Sequence, residues 1–155
     1  MSVVYFSLGT NLGEKYALMK QAILHIEKRI GHVDAQSAFY ETEPWGFQSE
    51  NKFLNSAVKV TTSLAPLQIL EKTQQIEREM GRMHKSVGGQ YSDRLIDIDI
   101  LMYDDLVVQT DVLTLPHPLM HERQFVMEPL AEIAPRAIHP VFAETIENLL
   151  FKLKY

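Results

Sequence analysis

The 155 residues carry 15 basic against 20 acidic side chains, are 46% apolar and include no cysteine. Such a chain suits one domain over residues 1–155 that removes roughly 68–70% of its extended surface from water, with no disulfide framework and no Cys-ligated zinc or iron–sulfur site. A formal charge of −5 argues against a nucleic-acid binder working through a broad basic face, although a small anion can still bind in a locally basic pocket.

The first residues, Met1-Ser2-Val3-Val4-Tyr5, lack the basic-then-apolar layout of a signal peptide, and no apolar run nears the about 20 residues of a membrane helix. The expectation is a cytoplasmic monomer with neither membrane nor nucleic acid as partner. Residues 2–8 are β-rich and predict a strand turning at Gly9, Asn11 and Gly13. Tyr16, Met19, Ile23, Ile26 and Ile30 recur every three or four residues, an amphipathic helix stopped by Gly31. A second strand is predicted near 33–41, then a loop over 42–52 around Pro44 and Gly46, then a strand from Phe53 to Thr62. Pro66 opens a helix whose buried stripe reads Leu67, Leu70, Thr73, Ile76 and Met80 before Gly81. Residues 82–93 have no period and hold paired glycines, a second long loop. Residues 95–103 alternate apolar and acidic with period two, a clear strand. Asp104-Asp105 reads as a hairpin turn before Leu106-Val107-Val108, followed by helices near 126–133 and 144–153. The order β-α-β-β-α-β, with a trailing hairpin and C-terminal helices, predicts an α+β ferredoxin-like antiparallel sheet with helices on one face.

Asp97-Ile98-Asp99 is the sharpest feature. On a strand both carboxylates project to one face, about 6.5–7 Å apart at the backbone, with Ile96, Ile98 and Ile100 on the other. Such a pair is either the acidic outer face of a half-exposed strand or a site for a divalent cation that bridges phosphate oxygens. Arg94 stands three residues before it, and Arg82 and Lys85 lie in the glycine-bearing loop upstream. Carboxylates beside flexible cations are what phosphoryl transfer needs, while each arginine alone also fits a solvated surface. Gln74 and Glu77 share a helix face and either decorate the surface, orient Arg82 or bond a nucleotide. Phe53 and Asn55 face one way on their strand: an aromatic plate and an amide suit a flat heterocycle, with Phe125 as the opposite plate, yet core and turn former read as well. His117 and His121 with Glu122 raise zinc, but Pro116 and Pro118 discourage the helix on which they would converge, and no third ligand has suitable spacing. His25, His32 and His139 read as scattered histidines. Neither a Walker A loop nor G-x-G-x-x-G follows a strand, so any ATP would be held by metal and side chains.

Together, Arg94-Leu-Ile-Asp97-Ile-Asp99, Leu115-Pro116-His117 and Arg123-Gln-Phe125 resemble the 6-hydroxymethyl-7,8-dihydropterin pyrophosphokinases of folate biosynthesis. The resemblance runs almost the whole length, through Leu8-Gly9-Thr10-Asn11-Leu12, Phe39-Tyr40-Glu41-Thr42, Phe53-Leu54-Asn55, Gln74-Gln75-Ile76-Glu77 with Gly81-Arg82, and Pro129-Leu130-Ala131-Glu132-Ile133-Ala134-Pro135. It implies transfer of the terminal diphosphate of ATP to the hydroxymethyl group of a dihydropterin, releasing AMP. It also implies roles. Asp97 and Asp99 would bind two magnesium ions, and Arg82, Arg94 and Asp97 would be catalytic, Asp97 as a candidate acceptor of the hydroxyl proton. Gln74, Glu77, Arg94, Thr114, His117 and Arg123 would line the ATP side. Phe53 and Phe125 would sandwich the pterin, with Asn55, Thr42 and the backbone of Pro44 and Trp45 reading its edge. His84, Tyr91 and Pro118 depart from the family pattern, which has arginine, tryptophan and an aromatic residue there. The competing readings are a metal-dependent phosphohydrolase at the same acids and a ferredoxin-like ligand-sensing module without catalysis.

Overall fold

The computed structural model describes residues 1–11, 13–42, 52–81 and 96–155. In chain order these form β1 (Ser2–Thr10), α1 (Lys15–Arg29), β2 (His32–Gln36), β3 (Tyr40–Thr42), β4 (Phe53–Thr62), α2 (Pro66–Gly81), β5 (Asp97–Tyr103), β6 (Val108–Gln109), β7 (Thr114–Leu115), a 3₁₀ turn at Met120–Glu122, α3 (Gln124–Ile133) and α4 (Ile146–Lys154). The main sheet runs β2-β4-β1-β5 with every pair antiparallel, and β3 continues along β4 beyond β2. This is the ferredoxin-like α+β order expected from the sequence. No helix of the described residues is long and apolar enough to cross a membrane.

Period-two alternation splits the strands between two cores. Val4, Phe6 and Leu8 of β1 join Leu54, Val58 and Val60 of β4 and Ile98 and Ile100 of β5 beneath α1 and α2. On the other face Tyr5, Ala57, Leu101 and Met102 pack against Met127 and Leu130 of α3 and Ile146 and Leu149 of α4. The sequence reading puts the helices on one face; α3 and α4 cover the other because that face is apolar too, at the end away from the acids. A bulge helps, since Tyr5 pairs with Met102 and Phe6 with Ile100, leaving Leu101 extra. Two successive side chains, Leu101 and Met102, thereby enter the second core.

Several boundaries differ from the sequence reading, each for a local reason. β1 runs through Gly9 to Thr10 instead of turning at Gly9. The strand predicted over 33–41 is two, β2 and β3. At the break, Ser37 N–H donates to the Ala57 carbonyl (2.9 Å) and the Ser37 hydroxyl accepts from Ala57 N–H (2.9 Å), so a side chain replaces the strand ladder. On α2 the buried stripe is Ile69, Thr73, Ile76 and Met80; Leu67 is 61% exposed, because one turn back from Thr73 falls on Ile69. Gly31 matters through space more than as a helix stop: a Cβ there would lie 2.1 Å from the Thr61 carbonyl oxygen. The Asp104-Asp105 turn exists, with Asp104 at φ 49°, but it is tied to β1 by Asp104 N–H on the Val3 carbonyl and Val3 N–H on Asp104 Oδ1, both 2.8 Å. The hairpin forms after it, as β6 with β7.

Candidate active site

The candidate residues gather at the end of the sheet that α3 and α4 leave uncovered. Across β4, β1 and β5, Asn55 pairs with Gly9 and Gly9 with Asp97; Ser7 pairs with both Ala57 and Asp99. Opposed residues share a face, so Asn55, Gly9 and Asp97 form one row and Ser7 and Asp99 lie in the next. Glycine suits position 9. A Cβ would come 3.2 Å from Asn55 Oδ1, and glycine keeps the floor open between the amide and the acids.

Above this floor is a cavity of about 690 Å³, walled by Phe53 and Asn55 on one side, Asp97 and Asp99 on another, and Arg123 and Phe125 from the start of α3. Asn55 is only 4% exposed and lies mid-strand, so it is not a turn former. Its amide Nδ2 donates to Thr42 Oγ1 at 2.9 Å, bringing Thr42 to the rim. Phe53 is half-buried and lines the cavity instead of the core. The Arg123 guanidinium lies 5.7 Å from the centre of the Phe125 ring, a cation–π contact that fixes both at the helix start.

His117 follows a cis Leu115–Pro116 bond and is anchored by its N–H on the Leu101 carbonyl (2.8 Å). Burial lowers its pKa below the usual histidine value; the Asp99 charge opposes that and Arg123 reinforces it. Its Nδ1 accepts from Leu119 N–H (3.2 Å), so the neutral ring carries its proton on Nε2. His121 goes elsewhere, with its ring 4.7 Å from that of Phe142 and 6.4 Å from that of His139. The two histidines therefore do not converge. Among the described residues no group of three or more His, Cys, Asp or Glu could hold a metal.

The sequence candidates divide. Asp97, Asp99, Phe53, Asn55, Arg123 and Phe125 share the cavity; Thr42 hydrogen-bonds Asn55, and His117 lies near enough to Asp99 and Arg123 to feel their charges. Gln74 is exposed on α2, Thr114 is half-buried in β7, and neither lines it. Glu77 is committed to the strand: its Oε2 accepts the N–H of Ile98 at 2.9 Å, between the two acids. Arg82, Arg94, Pro44 and Trp45, with His84, Tyr91 and both long loops apart from their flanking residues, lie outside the described residues. The sequence does not single out Ser7, Leu119, Gln124 or Leu153, and it offers Gly9 as a turn residue and Glu122 only for zinc; all six line the cavity. Ser7 and Gly9 had a signal, since they alternate with Phe6 and Leu8 on β1; Leu153, from a helix remote in sequence, had none.

Over residues 5–135 the chain matches the model of 7,8-dihydro-6-hydroxymethylpterin-pyrophosphokinase, HPPK. The chain belongs to the HPPK family. It is 50% identical over 141 residues to the 2-amino-4-hydroxy-6-hydroxymethyldihydropteridine pyrophosphokinase of Porphyromonas gingivalis, covering 90% of this chain and 95% of that one. It is 37% identical over 148 residues to the protein of the same name from Aquifex aeolicus, covering 96% and 90%. The crystal structure of Plasmodium falciparum HPPK-DHPS with pteroate matches with a TM-score of 0.79 over 97% of this chain, at 19% identity, a likeness of fold. This chain spans 42% of that longer one. The HPPK family transfers the pyrophosphoryl group of ATP to hydroxymethyldihydropterin in folate biosynthesis.

Proposed function

We propose that this chain carries out the HPPK reaction in the cavity between β1, β4, β5 and α3, with Asp97 and Asp99 as its cation side and Phe53 and Phe125 as its pterin side. The observation that carries the reading is the meeting of these pairs in one cavity of about 690 Å³, large enough for a ring and part of a polyphosphate. The hydroxymethyl oxygen attacks the β-phosphorus of ATP, the bond from that phosphorus to the AMP oxygen breaks, and the hydroxyl proton leaves to water or to the Asp97 carboxylate.

The donor set suits magnesium. Among the described residues the two carboxylates stand without a cluster of three His, Cys, Asp or Glu, which matches an ion that brings its remaining oxygens from water and substrate phosphates. Asp97 and Asp99 would hold two such ions, which when bound supply charge neutralisation on the phosphate oxygens. The chain's own groups do the rest. Arg123, Arg82 and Arg94 bind phosphate oxygens, and neutral His117 donates from Nε2 on the same side. Gln74 and Thr114 complete the nucleotide side from outside the cavity wall, and Glu77 acts through the strand it holds. Phe53 and Phe125 stack on the pterin; Asn55, Thr42 and the backbone of Pro44 and Trp45 read its edge. Positioning and electrostatics account for most of the acceleration, so no dedicated base is required. The chain would act on these two small substrates as a cytoplasmic monomer.

A product assay tests this. With ATP, magnesium and 6-hydroxymethyl-7,8-dihydropterin we expect AMP in step with pterin diphosphate, and none without the pterin. ADP or phosphate released from ATP alone makes the chain a hydrolase; binding without turnover makes it a sensor.

A further inference from the structure

Glu132 lies in the last turn of α3, away from the cavity, and takes part in no step above. Its carboxylate accepts the N–H of Ala38 at both oxygens (3.0 and 3.3 Å) and the hydroxyl of Tyr40 at 2.5 Å. A carboxylate there opposes the helix dipole, and α3 has no basic residue in that turn to offset it, so the position is not one that helix stability selects. What the carboxylate holds is the start of β3. That strand is only three residues long, Tyr40–Thr42, and pairs with β4 at Asn55, Leu54 and Phe53. So short a strand has little stability of its own. Tyr40 and Thr42 alternate onto the face of Asn55 and Phe53, and Thr42 Oγ1 meets the Asn55 amide at 2.9 Å. Glu41, on the opposite face, is held by the Tyr16 hydroxyl of α1 at 3.2 Å.

Helix α3 therefore touches both sides of the pterin side of the cavity: Phe125 at its start lines the wall, and Glu132 at its end fixes the strand that brings Thr42 to Asn55. We propose that Glu132 is a positioning residue for the pterin, setting the distance between the Phe125 wall and the Thr42–Asn55 edge by pinning β3 to α3. The inference rests on the pterin reading of this cavity. Tyr40 supports it: the hydrogen bond to Glu132, then burial and the charges of Glu132 and Glu128, push its pKa up to about 12, so the phenol keeps the proton it donates.

The test compares the wild type with Glu132→Ala, Glu132→Gln and Tyr40→Phe in steady-state kinetics for each substrate, with calorimetric binding of the pterin in the presence of magnesium and a non-hydrolysable ATP analogue. For Glu132→Ala we expect the pterin KM to rise about five- to tenfold, the effect of one or two oriented hydrogen bonds, with the ATP KM and kcat within about twofold. Glu132→Gln keeps an acceptor oxygen and recovers most of that loss. Tyr40→Phe raises the pterin KM about threefold and keeps the comparison open should Glu132→Ala not fold. An unchanged pterin KM in the folded variants, or equal rises for both substrates, overturns the proposal. A wild type that binds no pterin overturns the reading beneath it, and that result appears before any variant is made.

Discussion

Along β5, Ile98 and Ile100 are 4% and 6% exposed in the core beneath α1 and α2, while Asp97 and Asp99 on the opposite face open onto the cavity. Two like charges so close favour moving apart in the absence of a cation, and a strand with solvent on both sides would let them. Here the isoleucines cannot move without opening the core, β1 fixes the register from one side, and Glu77 takes the Ile98 N–H from the other. The apolar face thus supplies the geometry that the acidic face uses, and the two should respond to mutation in opposite ways.

The largest separation should come from Asp97→Ala. We expect turnover to fall at least about a thousandfold and magnesium-dependent ATP binding to weaken, with the fold intact by circular dichroism because Asp97 is exposed. Near-normal turnover would remove the metal assignment. Ile98→Ala should do the reverse, costing about 2–5 kcal/mol in urea unfolding while the folded fraction stays active. A loss below about 1 kcal/mol would mean that the core does not hold this strand. Phe53→Ala should weaken pterin binding about tenfold and leave nucleotide binding within about twofold, measured by calorimetry. Equal losses would end the stacking argument.

The smallest effect concerns pH. Burial, then the neighbouring His121, lowers the pKa of His139, and burial lowers that of His117. Both groups take up protons in the unfolded chain at about 6.5 but later in the folded one, so the unfolded state binds more protons in between. Their contribution to stability is complete above about pH 6.5 and declines as the pH falls through the folded values. His139→Gln should flatten part of that decline in the urea midpoint; an unaltered slope would contradict it.

The period-two pattern of β5 makes the acids and their face legible, and the spacing of Phe53 and Asn55 makes legible that these two share a face, which lines the cavity. What the residues alone left open was whether these belonged together, because β4 and β5 meet only through β1. Gly9 looked like a turn signal; its meaning as an open floor appears once Asn55 and Asp97 are seen on either side of it. Glu77 reads from the sequence as a surface group or a partner of Arg82 or a nucleotide, whereas the hydrogen bond it makes is to the backbone N–H of Ile98, which has no side-chain signature. The second helical layer escaped because Tyr5, Ala57, Leu101 and Met102 are spread over three strands, and the bulge at Leu101 breaks the alternation that would have displayed them.

The most direct measurement is a crystal structure with magnesium, a non-hydrolysable ATP analogue and the dihydropterin alcohol. We expect Asp97 and Asp99 oxygens within about 2.0–2.1 Å of magnesium ions on the phosphates, and the pterin ring lying between Phe53 and Phe125. Acids turned toward water with no ion between them, or a pterin bound elsewhere, would contradict the central assignment.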